Sequence, residues 1–181
     1  MNTIKERRIV FTAGQIAERV RAMAAEIDAC YGDDPVVAVC VLKGAVFFFT
    51  DLVRAMRSEN LELDFVRLSS YGRGTSSSRH VVFSKDVDCD IAGKHVLIVE
   101  DVVDSGLSMQ FLMRQFEASG ARSLRLAALV DKNERREADV RVDFAGFKLE
   151  EGFIIGYGLD YAEKYRALPD VEELVFEPAA D

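Results

Sequence analysis

The sequence contains no tryptophan, only three prolines, three cysteines and two histidines, and no long apolar run. Cys30, Cys40 and Cys89 are odd in number, widely spaced and in no CxxC pairing, which argues against a disulfide framework or a zinc site. With His80 and His95 the only histidines, a histidine-based metal site is also disfavoured. No apolar stretch approaches the roughly 20 residues of a membrane span. Arg7-Arg8 is followed by only Ile9-Val10-Phe11, too short for a signal core, so the expectation is a cytoplasmic protein with no membrane partner. Positive charge is scarce as well. A net charge of −8 disfavours nonspecific nucleic-acid binding, which draws its affinity from Lys and Arg neutralising phosphates, so any phosphate site must be local.

What is present fits an ordinary globular chain. Its 181 residues can bury one sizeable core, and 49% apolar with 30% charged residues is a folded composition, so residues 1–181 are expected to form one domain. From Thr12, a plausible N-cap, the spacing Ile16, Val20, Met23, Ala24, Ile27 predicts a helix ending near Tyr31-Gly32. Val36 to Leu42 reads as a strand covered on both faces, and Ala45 to Met56 as the helix after it. Leu61 to Leu68 follows as a strand. Tyr71 to His80, dense in Gly and Ser, reads as a mobile loop. His95 to Val99 is the next strand, then a turn and a helix from about Leu107 to Ala118, stopping at Ser119-Gly120. Ser123 to Val130 is a further strand, with strand-like pieces near Phe144–Phe147, Phe153–Tyr157 and Glu173–Phe176. This alternation predicts an α/β fold with a central parallel sheet.

The most informative segment is Val96 to Ser108, VLIVEDVVDSGLS: an apolar strand delivers Glu100 and Asp101, and a turn of small residues leads into a helix. Ligands bind open α/β sheets at that edge. The turn leaves backbone N–H groups and a helix N-terminus free to face a phosphate monoester, with Ser105 and Ser108 adding hydroxyl donors. Adjacent carboxylates suit ribose hydroxyls and a hard cation such as Mg²⁺. Taken alone, the same residues are also what solvated acids at a strand end and an Asp104 helix cap would look like.

The order of residue types resembles the phosphoribosyl diphosphate motif of type I phosphoribosyltransferases, and four further segments resemble the hypoxanthine-guanine branch of that family, in its order, between about Val36 and Arg166. The resemblance implies that fold: a central parallel sheet flanked by helices, a small hood subdomain and a flexible loop. It assigns the sugar phosphate to Glu100, Asp101, Asp104, Ser105, Gly106, Leu107 and Ser108. Val41-Leu42-Lys43-Gly44-Ala45 is similar to the family's pyrophosphate loop, in which the bond before the Lys is a cis peptide, so Lys43 and Gly44, with Arg166, would hold pyrophosphate. Leu68 to Gly72 resembles the start of the flexible loop, which implies that Ser70 and Tyr71 close over the reaction centre. Excluding water there is sensible because the reacting sugar carbon develops positive charge.

Leu129-Val130-Asp131-Lys132 resembles the base-reading strand end, where Lys132 would meet the purine's 6-oxo group. An ammonium only donates, so it favours oxo over the amino group of adenine. By itself Lys132 would read as a surface lysine. Gly152 to Tyr161 resembles the family's FVVGYGLDY segment, so Phe153 would stack on the base, Ile154 would read its edge through the backbone, and Asp160 would bind Mg²⁺ or a metal-linked water. Without the resemblance, Phe153 and Tyr157 would be taken for core residues.

The implied activity is transfer of a phosphoribosyl group to hypoxanthine or guanine. The metal set is Glu100, Asp101 and Asp160, the general acid/base is Asp104, and the assembly is a homo-oligomer, dimer or tetramer. Glu150-Glu151 stand where relatives often carry a more basic turn, which leaves xanthine or another base as an alternative. A nucleotide-binding regulator of the same fold is the other alternative, but the net negative charge weighs against its nucleic-acid face.

Overall fold

The computed structural model describes residues 3–71, 80–132 and 134–177. Most of the expected mobile loop, 72–79, and the side chains of Ser70, Tyr71, His80 and Val81 lie outside the described residues. The elements in chain order are β1 (Ile4–Phe11), α1 (Ala13–Tyr31), β2 (Val36–Val41), α2 (Val46–Ala55), β3 (Leu61–Tyr71), β4 (His80–Lys85), β5 (His95–Val103), α3 (Leu107–Ala118), β6 (Ser123–Lys132), β7 (Phe144–Leu149), β8 (Phe153–Ile155) and β9 (Val171–Phe176).

Six strands form one sheet in the order β4-β3-β2-β5-β6-β7. All neighbouring pairs are parallel except β3 with β4. Alternate residues of the continuous apolar strands feed two separate cores. Ala38 and Cys40 of β2, with Leu97 and Val99 of β5, pack beneath α1 and α2. Val37, Val39, Val96 and Ile98 instead join Met109, Leu112 and Phe116 of α3 on the opposite face. A period of two with both faces apolar is what a strand buried between helix layers requires. Thr12 caps α1 with a reciprocal capping box to Gln15, and Gly32 ends the helix at φ +56°.

Several expected boundaries change: β3, β6 and β7 run on to Tyr71, Lys132 and Leu149 instead of ending at Leu68, Val130 and Phe147, and three further changes bear on the site and the hood. β5 does not stop at Val99 but runs to Val103, because its ladder to β6 continues through Glu100↔Ala128, Val102↔Val130 and Val103↔Asp131. The acids therefore lie within the last turn of pleat and not beyond it. β8 ends at Ile155, two residues short of the expected Tyr157, where Gly156 and Tyr157 turn to φ +92° and +49°. The piece near Glu173–Phe176 starts earlier, at Val171.

β8 and β9 do not extend the parallel sheet. They join β1 in a separate antiparallel sheet, ordered β1-β9-β8. β1 was invisible as a strand because its middle is Lys5-Glu6-Arg7-Arg8 with exposed side chains, and its pairing partner lies more than 150 residues away. Arg7 is anchored there by Glu172, at 2.7 Å. Phe11 stacks on Phe147 with ring centroids 3.9 Å apart, and Ile154, Leu159 and Val171 enter the α1/α2 core, so this small sheet sits as a hood over one end of β6 and β7.

Candidate active site

The carboxyl ends of β2, β5 and β6 and the hood converge on one rim. At the end of β5 a cleft of about 190 Å³ is lined by residues 100–106, 108 and 109. Gly106 enters α3 at φ +79°, a conformation L side chains rarely adopt, and a Cβ there would also press on the Ala138 carbonyl. The N-cap of α3 makes no side-chain hydrogen bond, which corrects the alternative of Asp104 as a helix cap. Asp104 is instead notable for its Oδ1, which is buried and has no hydrogen-bond partner among the described residues. Native structures rarely leave a buried acceptor unpaired, so an unpaired one in a cleft fits a ligand proton.

Glu100 is buried and accepts from the Asp101 N–H at 3.0 Å. Burial, and next the adjacent Asp101 carboxylate, push its pKa well above the ordinary carboxylate value. A cation or hydroxyl donors at this pair would relieve both effects.

Two close backbone approaches bring the other segments to this cleft. A Cβ on Gly44 would overlap the Asp101 carboxylate, and one on Gly158 would overlap the Gly44 carbonyl oxygen. Glycine at both positions lets the β2–α2 loop lie between the acids and the 156–166 segment. The Leu42–Lys43 peptide bond is cis, as the resemblance implied. Lys43 Nζ pairs with Glu163 at 2.9 Å, and Arg166 pairs with Asp160 at 2.7 Å and with Glu163 at 3.4 Å. Arg166 also donates to the Gly158 carbonyl at 2.7 Å, while its buried Nε has no partner among the described residues. The two expected pyrophosphate cations are thus held near one another by a single carboxylate, Glu163, which sequence reasoning did not single out.

The third part lies between β6 and the hood. Lys132 is buried, 7% exposed, and donates to the Gly152 carbonyl at 2.8 Å, which overturns its reading as a solvated lysine. Phe153 is 43% exposed, not a core residue. Its ring stands edge-on to Tyr161 at 5.4 Å and to Phe176 at 5.9 Å, which fix its tilt while leaving a face open. Ile154 follows it in β8, its backbone paired in register with Glu173. Tyr157 is half-buried and donates to Asp51 at 2.6 Å.

One expected grouping is not formed. Among the described residues no three His, Cys, Asp or Glu side chains gather as a metal cage, so Glu100, Asp101 and Asp160 do not converge as a protein-only site. Both Asp160 oxygens already have partners, Arg166 and the Glu163 N–H. The physical reason is general: Mg²⁺ is commonly held by one or two carboxylates together with substrate phosphates, so a complete protein cage is not required. The adjacent hard oxygens of Glu100 and Asp101 fit that pattern. The sequence also gave no hint of Arg136, which sits in the charged run Glu134-Arg135-Arg136-Glu137 and looks no different from its exposed neighbours.

Comparison with known proteins shows the family. Residues 9–162 match the phosphoribosyl transferase domain family. The chain is 41% identical over 162 residues to hypoxanthine-guanine phosphoribosyltransferase of Bacillus subtilis, covering 90% of this chain and 89% of that one. It is 42% identical over 163 residues to hypoxanthine-guanine-xanthine phosphoribosyltransferase of Tritrichomonas foetus, covering 90% and 88%. Among solved structures, a hypoxanthine phosphoribosyltransferase of Staphylococcus aureus superposes with a TM-score of 0.89 at 34% identity, covering 95% of this chain and 92% of that one. No described helix is long and apolar enough to cross a membrane.

Proposed function

Since this chain belongs to the phosphoribosyl transferase domain family, we propose that it transfers the 5-phosphoribosyl group of phosphoribosyl diphosphate to hypoxanthine or guanine, releasing pyrophosphate and forming the nucleoside monophosphate used in purine salvage. The observation that carries the base class is Lys132: a buried ammonium held by the Gly152 carbonyl, next to the open ring of Phe153. A donor-only group in that place suits a 6-oxo acceptor and leaves the amino group of adenine opposed to another donor.

In this proposal the 5′-phosphate lies on Ser105, Gly106, Leu107 and Ser108 at the start of α3. Glu100 and Asp101 accept from the ribose hydroxyls. Lys43, the Gly44 N–H and Arg166 take the departing pyrophosphate, displacing Glu163 from the two cations. The base stacks on Phe153, with the backbone of Ile154 at its edge. As the sugar C–O bond to pyrophosphate breaks and the C–N bond to the purine forms, the unpartnered Oδ1 of Asp104 receives the base's ring proton. Mg²⁺ would be held by Glu100 and Asp101, with Asp160 through water, and when bound it supplies charge neutralisation to the diphosphate. Ser70 and Tyr71, at the end of β3, close over the reacting carbon. The working form is a homo-oligomer, dimer or tetramer, in the cytoplasm.

The 42% identity to an enzyme named for xanthine as well supports including that base among the substrates to be ranked. The test is direct: Mg²⁺, phosphoribosyl diphosphate and each purine in turn, with nucleotide and pyrophosphate both measured. Equal amounts of the two with a 6-oxopurine are expected. No product with any purine removes the proposal.

A further inference from the structure

We infer that Arg136 is a positioning residue that couples the 5′-phosphate cradle to the base-reading strand end, so that the two substrate subsites are set by one side chain. The inference rests on the proposed function above. It starts from the donors of one guanidinium. Nε donates to the Asp104 carbonyl at 3.0 Å, and Nη2 to the Val103 carbonyl at 3.1 Å, which fixes the end of β5 and the residue whose Oδ1 has no partner among the described residues. The same Nη2 donates to the Lys132 carbonyl at 2.9 Å and to the Asp131 carboxylate, which fixes the end of β6. Nη1 reaches the Val140 carbonyl at 2.9 Å. All of these partners are protein groups.

The backbone beside Arg136 extends the clamp. The N–H groups of Glu137 and Ala138 both donate to the Ser105 carbonyl, at 2.9 and 3.0 Å, and the left-handed Gly106 packs against Arg136 Cδ and the Ala138 carbonyl. Segment 136–138 is therefore the backing of the turn that carries Asp104 to Gly106. Past Val103 and Asp131 no ladder joins β5 to β6 among the described residues; β7 holds Lys132 from its other side through the Lys132↔Leu149 pair, and Arg136 is the side chain that bridges the Asp104 and Lys132 carbonyls. A planar fork with five donors can serve carbonyls on both strand ends at once, whereas an ammonium is a point donor on a flexible stem and covers only part of the set.

The test uses Arg136→Ala and Arg136→Lys of the whole protein, with melting temperature, KM for each substrate and kcat measured at saturating Mg²⁺. The expected result for Arg136→Ala is a rise of about tenfold or more in KM for both phosphoribosyl diphosphate and the purine, the order expected when the charged donor holding both strand ends is lost. Arg136→Lys should recover part of both losses together. A merely structural role would lower the melting temperature and the folded fraction but leave both KM values of the folded protein unchanged, and that result overturns the inference. So does a rise in KM for one substrate alone. If Arg136→Ala does not fold, Arg136→Lys carries the same criterion. A wild-type protein that makes no nucleotide removes the proposed function, whereas an active wild type with unshifted variants removes only the role of Arg136.

Discussion

Asp64 on β3 and Glu100 on β5 are both buried carboxyls, 5% and 9% exposed, and the structure treats them in opposite ways. Asp64 accepts from three backbone N–H groups, those of Phe65, Asp88 and Cys89 at 2.7 to 2.9 Å, with Lys85 at 3.6 Å. Burial alone would raise its pKa, but those hydrogen bonds outweigh burial and hold it below the ordinary value. Glu100 accepts from its neighbour's N–H, faces the Asp101 charge, and is pushed well upward by burial and then by that charge. Asp64 has its counter-groups built into the chain and serves to fasten the 88–89 turn to the sheet. Glu100, like the Oδ1 of Asp104, has places left that no group among the described residues fills. Where the hydrogen bonds go is what supports reading Asp64 as a structural acid and Glu100, in the proposed function, as a ligand-binding one.

This contrast can be broken most sharply at Asp104. Asp104→Asn should lower kcat by about two orders of magnitude or more, within the range for losing a general base, with little change in melting temperature. Unchanged single-turnover rates would remove Asp104 from the chemistry.

Asp64→Asn should do the reverse. Its Oδ2 accepts two N–H groups, and an amide nitrogen turned toward either set leaves donors facing a donor, so about 2 kcal/mol of stability should be lost with kcat of the folded protein unchanged. The loss is pH-dependent with a definite sign. A carboxyl whose folded pKa is depressed stabilises above its unfolded value of 3.8, so the gap between wild type and variant in thermal melts should close as pH falls through the folded pKa. A gap that persists unchanged below that range would contradict the account.

Phe153→Ala should raise KM for the purine by about tenfold, the low end of what one base–aromatic stack contributes, and leave KM for phosphoribosyl diphosphate in place. Equal shifts for both substrates would contradict a base-only role for the ring.

The smallest expected effect is on stability at Glu100. Its raised folded pKa means that the fold bears no penalty below the unfolded value of 4.5 and an increasing one as pH rises toward the folded pKa. In metal-free buffer Glu100→Gln should therefore melt about 2–4 °C above wild type near pH 8 and level with it near pH 4, the shift expected for about 1 kcal/mol in a chain of this size. The same variant should bind phosphoribosyl diphosphate with Mg²⁺ more weakly. A variant less stable than wild type at pH 8 would place Glu100 with Asp64 as a structural acid.

How much could be read beforehand follows the range of the interactions. α1 with its Thr12 cap and the span of α3 agree with the sequence pattern because capping and helical periodicity act over a few residues. β2 was legible because burial on both faces leaves an unbroken apolar run. β1, β4 and the extension of β5 were not, since each depends on a partner strand that compensates for charged or polar residues. The site divides in the same way. Glu100, Asp101, Asp104, Lys43, Lys132 and Phe153 stand in contiguous motifs, with Arg166 a few residues beyond the last of them, and the resemblance singles them out as candidates for that reason. Arg136 and Glu163 matter through contacts made across the fold, and their local sequence is that of an ordinary charged surface.

The most direct measurement is a crystal structure of the protein with inosine monophosphate. The account predicts the purine 6-oxo atom within about 3 Å of Lys132 Nζ, the ring on Phe153, and the 5′-phosphate on the N–H groups of residues 105–108. A nucleotide bound elsewhere, or one whose 6-oxo atom finds no donor while Lys132 stays on the Gly152 carbonyl and the Glu134 carboxylate, would contradict it.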